Sequence, residues 1–146
     1  MGARTIRNPF EWEARLLDLR VGETLPITVR RGSRDVSLNL AVMDAPEVTA
    51  PKVTVLQQLQ LVTLTEQIRQ ERGIASGNGA LVYRVPENIT DQIGLLAGDV
   101  IVQVGRSRVP DAETTSRLIS QYGDRGPVYL VFERNRQLLQ TSFVLR

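Results

Sequence analysis

Gly94-Leu95-Leu96-Ala97-Gly98-Asp99-Val100-Ile101-Val102-Gln103-Val104 joins two turn glycines, one acidic residue and a run that is apolar at every position but Gln103. Each part has a physical consequence. Gly94 and Gly98 permit tight backbone turns that a side chain would resist. Leu95 lies between them as a core residue. Asp99 sits where a strand begins, and its short carboxylate can accept hydrogen bonds from turn amides. Apart from Gln103 the run that follows is continuously apolar, which predicts a strand covered on both sides.

The flanking residues extend this strand into a domain. Gly105-Arg106-Ser107 turns the chain into a short strand at Val109, and Pro110-Asp111-Ala112 opens a helix that runs to about Gln121. Gly126-Pro127 breaks the chain. Residues 128–132 and 138–145 then form a hairpin around Asn135. Upstream, residues 80–85 read as a buried strand ended by Pro86, and residues 90–93 as one helical turn. Thr65 caps a short helix that Gly73 stops. Residues 53–64, rich in Val, Leu and Thr, read as a single strand.

The first forty residues repeat the end of this pattern. Asn8 and Pro9 start a helix over residues 10–19, and Gly22 stops it. Residues 25–30 and 36–40 make a hairpin around Arg31-Gly32-Ser33, with Ile27, Val29, Val36, Leu38 and Leu40 on one expected buried face. Ala14-Arg15-Leu16-Leu17 answers Ser116-Arg117-Leu118-Ile119, and Val29-Arg30-Arg31-Gly32 answers Phe132-Glu133-Arg134-Asn135, at an offset of about 102–103 residues. One repeat therefore spans about a hundred residues, and the first copy is expected to lack its front half. Residues 44–52, with two prolines, read as an extended linker.

Composition excludes several chemistries. The chain of 146 residues is 42% hydrophobic and 23% charged, as a globular protein requires. It has no His and no Cys, which removes Ser-His-Asp catalysis, a Cys nucleophile and thiolate metal sites. The glycines between Gly73 and Gly79 miss dinucleotide-binding spacing, and the only lysine, Lys52, follows Pro51 rather than a phosphate-binding glycine. No metal, cofactor or catalytic residue is expected. The net charge of +2 is spread along the chain and does not suggest nucleic acid. No stretch has the length or apolarity of a membrane helix, and residues 1–7 have no apolar signal core.

The string Gly-Leu-x-x-Gly-Asp-Val-Ile, its polar turn, the helix opening Asp111-Ala112-Glu113 and the closing hairpin resemble a bacterial PDZ domain. More narrowly, they are similar to the second PDZ domain of HtrA/Do-like (Deg) serine proteases. Leu59-Gln60-Leu61-Val62-Thr63-Leu64-Thr65-Glu66 resembles the family's run before its short helix. The resemblance implies an α+β, mainly β fold: a partly open barrel of about five to six strands with two helices, preceded by a helix-plus-hairpin half domain. It divides the chain into the back half of a first PDZ domain (1–43), a linker (44–52) and a complete second domain (53–146).

In such a domain a peptide's C-terminus adds as a strand beside the long helix. The resemblance places that groove at Gln57, Gln58, Leu59, Gln60 and Leu61 on the strand and at Ala112, Thr115 and Ile119 on the helix. The family's carboxylate loop usually holds a glycine, and here it reads Leu56-Gln57-Gln58-Leu59, so weak carboxylate binding is expected. The parent implied is a periplasmic, trypsin-like endopeptidase of protein quality control. Its PDZ modules take unfolded segments or C-termini and regulate or assemble a homo-oligomer around the protease domain. A structural PDZ domain with a vestigial groove is an alternative, as is the PDZ region of a site-2 or C-terminal processing protease.

Overall fold

The computed structural model describes residues 4–56 and 58–145, which divide into two compact units, Met1–Asp44 and Ala45–Arg146. The molecule is 36% strand and 27% helix, so its class is α+β and mainly β, with open sheets.

The first unit holds α1 (Pro9–Leu16), β1 (Thr24–Arg31) and β2 (Arg34–Ala41). Asn8 accepts from the Glu11 amide at 2.9 Å and Pro9 follows it, the expected helix start. The strands pair antiparallel, and Gly32 makes their turn at φ 62°. Cross-strand pairs Leu25–Leu40, Ile27–Leu38 and Val29–Val36 line one face. Within this chain Ile27 is half-buried, and Val29, Val36, Leu38 and Leu40 are exposed. No described residue of this unit is buried. A two-stranded ribbon and a two-turn helix are too few elements to close a core of their own.

The second unit runs α2 (Pro46–Thr49), β3 (Lys52–Val55), β4 (Leu59–Thr63), α3 (Glu66–Arg72), β5 (Ala80–Arg84), α4 (Glu87–Ile93), β6 (Val100–Val104), β7 (Ser107–Arg108), α5 (Ala112–Gly123), β8 (Val128–Arg134) and β9 (Gln137–Phe143). The sheet order is β3-β4-β5-β6-β8-β9, with the short β7 on β6. All pairings are antiparallel. The spacing that separates Asn8 from Asp111, the caps of α1 and α5, also separates Gly32 from Asn135, the left-handed turn residues of the two hairpins.

The central strands are covered on both faces. Leu61, Val82 and Ile101 enter one cluster, with Leu59, Leu95, Ile119, Leu130 and Phe132. Their neighbours Val62, Leu81 and Val100 enter a second cluster, with Leu64, Ile68 and Ile74. Opposite faces of β4, β5 and β6 thus serve two cores, which is why these strands read as apolar runs.

Two expectations fail between residues 44 and 64. The single strand over 53–64 is a hairpin: β3 and β4 pair from Lys52↔Val62 to Val55↔Leu59. Leu56, at φ 51°, turns the chain in a left-handed conformation for which leucine gives no sequence signal. The extended linker over 44–52 instead contains α2 and the first residue of β3. Pro46 suits a first helical position, and Arg72 draws Glu47 onto the domain through an ion pair of 2.6 Å. The helical turn at 90–93 grows to α4, which Gly94 closes at φ 80°.

Candidate functional site

The expected groove elements lie side by side. Thr63, at the end of β4, accepts through its hydroxyl from the Ala112 amide at 3.0 Å. This bond ties the strand to the N-terminus of α5, where an unpaired amide is available. Asp111 caps the same helix, accepting from the Thr114 amide at 2.7 Å. Bonding from Thr114, through its hydroxyl and then its amide, holds the Asp111 carboxyl below its ordinary range and keeps the cap charged near neutrality.

The expected residues divide by burial. Leu59, Leu61, Ala112 and Ile119 meet in one apolar cluster and are buried. Thr115 is buried too, and its hydroxyl donates to the Asp111 carbonyl at 2.8 Å. Gln58 is exposed and Gln60 half-buried. Gln57 lies outside the described residues. The strand and helix positions therefore come together as expected, but as packed core rather than as an open surface.

The outer edge of β4 is occupied. β3 pairs along it, and α5 packs against both strands. Val53 and Val55 point to the apolar cluster, and Val55 is only 3% exposed. Thr54, between them, faces solvent. Lys52 fixes the start of β3. Its ammonium donates to the Ala50 carbonyl at 2.7 Å and to the Val48 carbonyl, and it lies 4.6 Å from the Tyr83 ring centroid. Further back, Glu47 is buried with Oε2 unpartnered, while Oε1 pairs with Arg72. Burial raises the Glu47 carboxyl, but its backbone bond, Arg72 and Lys52 together outweigh that and leave it below the ordinary value.

Two anchors stiffen the frame around this site. Asp99 accepts from the Leu96 amide at 2.7 Å, as its place before the strand predicts, and also from Arg134 Nε at 2.8 Å and Nη2 at 2.7 Å. Glu133 accepts from the amides of Ala75 and Ser76 at 2.8 and 2.7 Å and from the Ser76 hydroxyl. An open cleft lies over these anchors, but its charges are spent internally: Arg134 on Asp99, Arg72 on Glu47, Arg136 on the Gly73 carbonyl. Among the described residues no His/Cys/Asp/Glu group could hold a metal ion, and no helix is long and apolar enough to cross a membrane.

Sequence reasoning missed Val53, Val55 and Thr63. A signal for the first two was present: Val53 and Val55 alternate as Leu59 and Leu61 do, with three residues between the two pairs. Comparison of the chain with protein-family models and with curated proteins gave no match.

Proposed function

We propose that the second unit is a PDZ-type binding module that takes an extended peptide as an added strand between β4 and α5. Its parent is an HtrA/Do-like serine endopeptidase of the bacterial envelope. This chain supplies recognition of C-termini or apolar segments of unfolded proteins, and regulation or assembly of the oligomer. Peptide-bond cleavage belongs to a protease domain of that parent, because a chain without His has no imidazole to activate a serine. The supporting observation is the seating of β3. A four-residue extended segment pairs antiparallel along β4 beside α5 and buries alternate valine side chains, which is the manner in which a peptide strand is held.

Titration of the full chain with a pool of peptides bearing free C-termini, followed by amide NMR, tests this reading. Shifts concentrated in β4, in its edge partner β3 and in residues 115–119 are expected. Shifts confined to β9, or none at millimolar peptide, would sink it. Burial of Leu59, Leu61, Ala112, Thr115 and Ile119 favours a second reading, a structural PDZ domain whose slot is permanently filled. The absence of any shift selects that alternative.

A further inference from the structure

We propose that Lys52–Val55 is an intramolecular competitor for the peptide slot, so that the free chain is closed and an incoming segment binds only as β3 leaves. This rests on the binding-module reading above and adds its regulation. Three observations carry it. All four residues of β3 pair along the edge of β4, from Leu59 to Val62. Its inward residues, Val53 and Val55, fill the apolar surface that an added strand would otherwise cover. And β3 is an end strand, paired on one side only, so its departure breaks a single ladder and leaves the β4-to-β9 sheet intact. Its occupancy also indicates what replaces it: an extended segment with β-branched apolar residues two apart and a solvated residue between them.

The clasp behind β3 suits a release step. The Glu47 side chain is buried, with Oε1 paired to Arg72 and Oε2 without a partner. Its partner Arg72 is substantially exposed and open to competing anions and water. An ion pair of this kind retains the segment weakly, because the desolvation of Glu47 offsets much of the attraction.

The magnitude follows from tethering. An occupant joined to its site by a short turn acts at an effective concentration of about millimolar. The apparent affinity is weakened by the ratio of that concentration to the slot's intrinsic Kd, about tenfold for a slot of about 100 μM and about a thousandfold for one of about 1 μM.

The test uses the full chain and a fluorescent synthetic peptide repeating residues 49–55. Thr54 and Gln60 are directly opposed on β3 and β4. Opposed residues of an antiparallel pair lie about 4.5–5.5 Å apart at Cα, within disulfide reach. The chain has no Cys, so Thr54→Cys with Gln60→Cys creates its only thiol pair. Oxidation is expected to abolish peptide binding, and reduction to restore it in the same sample. A second variant, Val53→Asp, sets a charge against the apolar cluster and is expected to bind the peptide at least about tenfold tighter than the unaltered chain. If that variant fails to fold, the oxidised-against-reduced comparison still decides. Equal affinity in locked, reduced and unaltered chains overturns the competitor while leaving the binding module standing. No binding of the peptide or of a random pool to any folded form overturns both.

Discussion

Replacement of Arg134 by Met tests whether the Gly-Leu-x-x-Gly-Asp corner depends on a charge from the far end of β8. Asp99 is 2% exposed and Arg134 29% exposed. The carboxylate accepts one amide bond, from Leu96, and two guanidinium bonds. Met preserves most of the side-chain stem but removes both charged bonds, the bond from Nη2 to the Gly94 carbonyl and the guanidinium over the Phe132 ring. Breaking a buried ion pair from one side costs about 3–5 kcal/mol. Water reaches the outer side of Arg134 and can solvate the vacated position, which moves the expected loss to the lower end, about 3 kcal/mol. With a urea slope of about 1–3 kcal/mol/M, the midpoint falls by about 1–3 M. Urea denaturation followed through the amide signals of β6 and β8 reads this directly. Adding Asp99→Asn removes the stranded charge, so the double variant is expected to recover part of the loss. A single-variant loss under about 1 kcal/mol, or strictly additive losses in the cycle, would refute the reasoning.

Three further outcomes follow from the same frame. Gly79→Ala places a Cβ 2.5 Å from the Ile101 carbonyl oxygen at φ 149°, so strain of about 1–3 kcal/mol plus a backbone clash should appear as a large drop in melting temperature; an unchanged melt would contradict it. Leu95→Ala opens a cavity in the larger core and is expected to cost about 2–5 kcal/mol in chemical denaturation, a loss under about 1 kcal/mol being incompatible with this packing. Burial pushes the Glu133 carboxyl up, but bonds from Ser76 and Ala75 and the charge of Arg136 outweigh it and hold the group below its usual 4.5. Its stabilisation is therefore present above that value and lost as pH falls through the lower folded one. Glu133→Gln should cost about 1–3 kcal/mol at neutral pH, with the gap to the unaltered chain closing in acid; a gap independent of pH would count against the anchor.

Where a local rule is strong, the residues alone determined the structure. Asn8, Thr65 and Asp111 cap their helices because a side-chain oxygen beside free amides needs no distant partner. Gly73 and Gly94 end helices in the left-handed region, where they meet no steric cost. The apolar run 100–104 required a doubly covered strand, and Asp99 found the Leu96 amide as its spacing suggested.

Other features depended on partners far away in the chain, and only the tertiary structure decided them. The left-handed turn at Leu56 is imposed by pairing β3 to β4 and by packing of Leu56 on the larger core, not by any preference of leucine. The helical turn at Pro46–Thr49 is held by Arg72, twenty-five residues on. The same apolar alternation that closes a core in β4 and β5 leaves Val36, Leu38 and Leu40 exposed in the first unit. Alternation sets which side chains share a face. Burial of that face requires a second layer, which β4 and β5 have and the first unit by itself does not.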